Sequence, residues 1–279
     1  MASGFKQVSS ASTFSSKASA EYKLEPVLNT GYWIHLWARI TVGHNENLHS
    51  LCACGLCLPA SVCKCSSCGE VADISQETSD SYVELKPAKC PDLSAFTVCL
   101  RAASELDREY VLFSYATSYH NNELLIWQGK NGILVLYLGQ NTVGFSLPIM
   151  NALLRHICVT WEARSSLVTV WVNGERTLQR QIKSTTVVHG GGAIILGQEQ
   201  DTVRGRFDLD QSFVGEITDV NMWSYALKAC AVKAVSQGVH SAGGNIISWA
   251  SVRYIANGSV NIKNNNDCPG QNCFRSIVG

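Results

Sequence analysis

The 279-residue sequence has no surplus of either charge, since Lys+Arg 22 balance Asp+Glu 22. This removes the basic footprint on which nucleic-acid binding relies. Charged residues make up only 16% of the chain against 46% hydrophobic, which excludes a mainly disordered protein. Nowhere do about 18 apolar residues run together, so no membrane-spanning helix is expected. The apolar core of a secretory signal is also missing behind Met1. Met1–Ala20 holds seven serines instead and reads as a flexible start. The length fits one large β domain or two average ones.

Cysteine is what the chain has in excess, with 12 in all. Six of them fall in Cys52-Ala-Cys54-Gly-Leu-Cys57 and Cys63-Lys-Cys65-Ser-Ser-Cys68, one C-x-C-x-x-C unit repeated. Closely spaced thiolates suit zinc. Six thiols with no distal pair at zinc-finger spacing suit an irregular, partly disulfide-bonded preamble better. The other six (Cys90, Cys99, Cys158, Cys230, Cys268, Cys273) are sparse and fit isolated bridges in an oxidising compartment. The cysteines therefore point to a secreted, extracellular protein, while the start supplies no leader. One reading takes the first 70 or so residues as a misassigned start. The expected organisation is a low-complexity, cysteine-rich segment over 1–70, a β domain over 71–263 and a flexible tail over 264–279.

From Ser79 the chain reads as short strands separated by Gly, Asn and Ser. Expected strands are Ser81–Leu85, Phe96–Leu100, Tyr110–Tyr115, Glu123–Trp127, Ile133–Leu138, Ile157–Trp161, Leu167–Val172, Ala193–Leu196 and Gly215–Trp223. Asn173-Gly174 marks a hairpin, because both residues accept positive φ. One short helix is expected, capped by Ser224, with Leu227, Cys230/Ala231 and Ala234/Val235 as its apolar stripe and Gly238 ending it. Strands are expected again at Ile246–Trp249 and Ser259–Ile262. The fold class is all-β, an antiparallel two-sheet sandwich or jelly roll with one α-helix.

Between Glu199 and Asp219 lie six acids and two arginines, with Gln200 and Gln211 adding neutral oxygens. Carboxylates this close repel unless a cation neutralises them, and calcium takes six to eight oxygen ligands of this kind. Composition alone leaves a solvated acidic loop equally open. Glu199-x-Asp201 on one strand would put both acids on one face, as paired-carboxylate glycosidases require. The third acid such a strand needs falls on Arg204, so no catalytic residue is assigned and a non-enzymatic role is expected.

His156-Ile-Cys158-Val-Thr-Trp161 resembles the H-x-C-x-[ST]-W signature of the pentraxins. The resemblance extends through Ser79–Lys86, Ala95–Leu100, Phe113–Thr117, Ile195–Asp201, Gln211–Ile217 and Val220–Trp223, in order, from about Ser79 to Ile262. Glu70–Ile74 poorly matches the aromatic first strand of the family. The resemblance implies a lectin-like jelly roll, a disulfide between Cys99 and Cys158, and a packed, structural His156. It also implies two calcium ions per subunit, held by Asn121, Asn122, Glu199, the backbone carbonyl of Gln200, Asp201, Asp208 and Gln211. Glu199 and Asp201 would bridge the pair. The family usually has Asp-Asn where Asn121-Asn122 stand, which implies weaker calcium binding at the first ion.

By the same resemblance the ligand pocket falls on Trp127, Tyr137 and Thr142. Tyr137 would fill the space that choline methyl groups occupy in a choline-binding member, and Thr142 offers the cation no negative charge. Phosphoethanolamine and phosphorylated or carboxylated sugars are the implied ligands. Strand alternation leaves open that Trp127 and Tyr137 face the core. Asn173 and Ser236 stand where a family member carries complement-binding side chains, which argues against complement activation. Asn257-Gly-Ser259 is a glycosylation sequon. A homopentameric ring and an innate-immune, acute-phase role are likewise implied by the family alone.

Overall fold

The computed structural model describes residues 69–183, 187–239 and 243–264. Met1–Ala20, Cys52–Cys68, Cys268, Cys273 and the tail beyond Asn264 lie outside the described residues. The elements run β1 (Glu70–Ile74), β2 (Tyr82–Lys86), β3 (Ala95–Ala103), β4 (Tyr110–Ala116), β5 (Leu124–Gln128), β6 (Ile133–Leu138), β7 (Asn141–Ser146) and β8 (Arg155–Glu162). Next come β9 (Leu167–Val172), β10 (Glu175–Arg176), β11 (Arg180–Gln181), β12 (Ala193–Leu196) and β13 (Gly215–Trp223). The helix α1 (Ala229–Ser236) precedes β14 (Arg253–Asn257) and β15 (Val260–Asn264). One sheet has the order β10-β9-β8-β3-β13-β1-β15, with β11 also on β9; the other is β14-β2-β12-β4-β5-β6-β7. Every pairing is antiparallel.

Alternate residues of both sheets meet in one core. Phe96, Val98 and Leu100 of β3 join Leu124 and Ile126 of β5 and Leu134, Leu136 and Leu138 of β6. Glu70–Ile74, a poor match by resemblance, is an interior strand. Val71, Ala72 and Ile74 are buried, and β1 pairs with both β13 and β15. The strands β7, β10, β11 and β14 have no counterpart in the sequence reading.

A second, smaller cluster covers the outer face of the first sheet. Cys99 and Cys158 stand directly opposite each other on β3 and β8, their Cα atoms 4.0 Å apart, and are disulfide-bonded. Trp171, Trp223, Leu227 and Val232 of α1 close over the bridge. The helix begins later than expected, with Lys228 rather than Ser224 at its N-cap. The Thr97 hydroxyl explains the delay. It donates to the Tyr225 carbonyl and accepts from the Leu227 N–H, each at 2.8 Å, which ties 225–227 to β3. Gly238, at φ +69°, ends the helix as expected. The stretch 246–249 forms a single bridge, Met222 to Ile247, in place of the expected strand. There the Asn221 Oδ1 accepts the N–H groups of Gly244 and Trp249, replacing a ladder.

The scattered cysteines are only partly bridged: among the described residues Cys90 and Cys230 are free. The Cys90 thiol donates to the Tyr115 hydroxyl, and burial pushes its pKa up. Asn173 and Gly174 turn β9 into β10 with φ +51° and +82°. The Asn173 side chain also accepts the His156 N–H at 3.0 Å.

His156 sits beside the bridge, its Nε2 3.5 Å from the Cys158 sulfur. Cys99, His156 and Cys158 thus cluster like metal donors, but both sulfurs are committed to each other. Burial, helped by the Arg101 guanidinium, pushes the imidazole down to about 3.

Two outcomes follow from this cluster. The bridge closes a loop of sequence separation 59, so Cys99→Ala with Cys158→Ala should lower unfolding free energy by about 4 kcal/mol in urea. For His156, the unfolded chain takes a proton near pH 6.5 that the folded chain refuses until about 3. Stability is therefore complete above the unfolded value and falls by about 1.4 kcal/mol per pH unit on acidification through that window. In His156→Gln, urea midpoints between pH 6 and 4 should fall less steeply than in the wild type. Parallel acid limbs would contradict the assignment.

Candidate metal and ligand face

The outer face of the second sheet carries the site. After β12 the chain doubles back across this sheet, and Gln200 holds it there. Its Nε2 donates to the Ala193 carbonyl at 3.0 Å and to the Ser114 carbonyl and hydroxyl at 3.2 Å. Its Oε1 accepts the Arg204 N–H at 2.9 Å. The Gln200 side chain is thus structural, leaving the backbone carbonyl as the group named for metal. Glu199 and Asp201 lie on this loop rather than on a strand, because β12 ends at Leu196. The paired-face geometry considered for a glycosidase therefore does not arise. Arg204, in place of the third acid, donates through Nε to Glu84 at 2.6 Å.

The fold-back brings Glu199 against the loop between β4 and β5. Its carboxylate is buried, at 4% exposure, and shares a hydrogen bond with the Asn122 side chain. Burial raises its pKa, and the Asp201 charge, then that of Asp208, raise it further against the Asn122 bond. Asp201 and Asp208 are exposed, and Asp208 Oδ1 also accepts the Asp210 N–H at 3.0 Å. Among the described residues three amide oxygens are buried without a hydrogen-bond partner, Asn122 Oδ1, Gln198 Oε1 and Gln211 Oε1, and the first and last belong to this donor set; such orphans are costly unless something else satisfies them. Asn121 is exposed. Glu216 and Asp219, counted with the acidic segment in the sequence, belong to β13, and Asp219 is paired with Arg101 at 2.8 Å.

Oxygen donors are all that this set offers: carboxylates, amide oxygens and a carbonyl. That is the chemistry of a hard cation such as calcium. The orphaned Asn122 and Gln211 oxygens and the buried, up-shifted Glu199 are what a cation would relieve, so the residues present fit one.

Trp127 and Tyr137 do not face the core. The core residues of β5 and β6 are Leu124, Ile126, Leu134, Leu136 and Leu138, so these two half-buried aromatics project from the opposite face. Thr142 pairs with Tyr137 across β6 and β7 and is exposed. The Tyr137 phenol is raised by burial and then by the charges of Glu109 and Glu199, which places it beside the acids.

One buried acid beside this site is not legible as such in the sequence. Glu123, expected only as the first residue of a strand, is 2% exposed. It accepts from the Thr117 hydroxyl at 2.8 Å and from His189 at Nδ1 (2.9 Å) and the backbone (2.7 Å). The signal available was an acid directly after the amide pair; its partner His189 is 66 residues away. The sequon residue Asn257 is half-buried at the turn from β14 to β15, where the Ser259 hydroxyl donates to Gln76 at 2.9 Å.

Residues 71–264 match the Pentaxin family. C-reactive protein of Danio rerio is 38% identical over 203 residues, 71% of this chain and 90% of that protein. Serum amyloid P-component of Cavia porcellus is 42% identical over 188 residues, 67% of this chain and 84% of that protein. A heptameric SAP-like pentraxin from Limulus polyphemus superposes with a TM-score of 0.63 at 23% identity, over 72% of this chain and 97% of that one. The jelly-roll sandwich and the family agree, and the chain belongs to the pentraxins.

With metal removed, Glu199→Gln should stabilise the protein. The raised pKa means that the carboxyl is best accommodated while protonated and loses its contribution as pH rises through that raised value. An amide keeps the bond to Asn122 without the charge. In EDTA at pH 7 we expect a gain of about 1 kcal/mol, or a Tm higher by about 2–4 °C, with the difference shrinking on acidification. A lower Tm for the variant would count against a destabilised carboxylate.

Proposed function

We propose that this pentraxin is a secreted, calcium-dependent, non-enzymatic pattern-recognition protein of the innate-immune type, working as a ring-shaped homo-oligomer. Two calcium ions would be held by Asn121, Asn122, Glu199, the Gln200 carbonyl, Asp201, Asp208 and Gln211. Open coordination positions would accept the oxygens of a phosphorylated or carboxylated ligand. The observation that carries this reading is the pair of buried, unpartnered amide oxygens on Asn122 and Gln211, on the same two loops as the buried carboxylate of Glu199. No arrangement of protein donors would be left so incomplete without cost. Family membership supports it from a separate direction.

Trp127 and Tyr137 on the ligand side favour phosphoethanolamine or an anionic sugar over phosphocholine. Tyr137 narrows the space a quaternary amine needs, and exposed Thr142 has no charge to offer it. The Asn257 sequon sits half-buried at its turn and would be glycosylated on secretion.

The direct test is retention on phosphoethanolamine resin in calcium, released by EDTA and lost in Glu199→Gln combined with Asp201→Asn. Calcium should also raise the wild-type Tm. Absence of both effects would reject the proposal, and stronger retention on phosphocholine resin would reject the ligand preference. Restoring a carboxylate with Asn121→Asp should tighten calcium binding roughly tenfold by calorimetry, because affinity follows ligand charge count. Unchanged affinity would remove Asn121 from the ligand set.

A further inference from the structure

The rim beside the acid loop also carries nitrogen donors. His120, on the loop between β4 and β5, and His189, before β12, have ring centroids 6.3 Å apart with planes at 50°. Neither ring is loosely held. His189 Nδ1 lies 2.9 Å from Glu123 Oε1, so that nitrogen is the donor and Nε2 is the nitrogen left for another partner. Tyr119 stacks on the same ring at 4.0 Å and 14°. The His120 ring lies on Gly139, where a Cβ would come within 3.2 Å of its Cδ2 and 3.3 Å of its Nε2. Glu123 is itself fixed by the Thr117 hydroxyl at 2.8 Å.

A buried carboxylate that holds one nitrogen of an imidazole and aims the other outward is the outer-shell arrangement of metal-ligating histidines. The His189 side chain is 26% exposed, enough for an ion to reach it. Two imidazoles sharing one ion at about 2 Å per bond have centroids about 5–6 Å apart. The observed centroid spacing of 6.3 Å is slightly longer than that range.

We propose that His120 and His189 bind a transition-metal dication, zinc being the probe, at a site adjoining the oxygen donors Asn121 and Asn122 but using neither of them, with Glu123 as the positioning residue for His189. Imidazole selects zinc, copper and nickel, whereas hard cations take the oxygens of Glu199, Asp201 and Asp208. The two sites would thus sort metals by ligand softness across a few residues of one loop. The positions left open on the ion would hold water or an incoming anion. This site does not depend on calcium being bound.

The test is zinc titration calorimetry on the full chain, with its thiols capped by iodoacetamide, in saturating calcium and again in calcium-free buffer. A binding step should be present in both conditions. It should weaken at least tenfold in His120→Ala and in His189→Ala, and about tenfold or more in Glu123→Gln. It should be unchanged in Glu199→Gln. Wild-type zinc affinity in both histidine variants would overturn the proposal, as would loss of the step in Glu199→Gln. The two histidines are partly exposed, so their variants decide the matter even if Glu123→Gln fails to fold. Failure of the calcium reading would leave the zinc step untouched.

Discussion

Gln200 has no exposed surface, and both ends of its side-chain amide are engaged by the backbone of neighbouring segments. These bonds turn the chain after β12 back across its own sheet instead of releasing it into solvent. The fold-back buries Glu199 next to Asn122 and brings the charges of Asp201 and Asp208 to bear on it. A carboxylate in that position is stable only if protonated or neutralised. Local hydrogen bonding has thus imposed an electrostatic debt on the loop, and the orphaned oxygens of Asn122 and Gln211 indicate the same unmet need.

Legibility in the sequence followed how local each signal was. Strands with alternation, such as Ser81–Leu85 and Phe96–Leu100, fall where the pattern places them. The Asn173-Gly174 turn is legible because its chemistry is contained in two residues. The edge strands β10 and β11 are only two residues each and carry no periodicity. The start of α1 falls later than the pattern suggests because the Thr97 hydroxyl, 128 residues from Tyr225, ties the preceding segment to β3. Asn245, which exchanges hydrogen bonds with Ser224, removes the capping role that composition suggests for that serine.

The candidate site divides in the same way. Its acids are concentrated in one segment and stand out by composition, whereas Asn121 and Asn122 are linked to them only by resemblance. Nothing local marks Arg204 as the partner of Glu84, 120 residues earlier, or pairs Glu123 with His189. The strand faces of Trp127 and Tyr137 needed the structure, because β5 is nearly all apolar and alternation cannot separate its two sides.

Placing the donors on loops and the aromatic wall on paired strands separates two properties. Under the proposed function, metal affinity would depend on the charge and freedom of the loop donors, while ligand shape would be set by side chains locked in register on β5, β6 and β7. On the proposed reading, three carboxylates (Glu199, Asp201, Asp208) face the four positive charges of two calcium ions, leaving the site at +1. An aspartate in place of Asn121 would bring it to zero. The amide at that position therefore weakens the grip on metal while leaving a positive charge for an anionic ligand to neutralise, so that ligand and second cation stabilise each other. A site of this balance would hold calcium most firmly when its ligand is present.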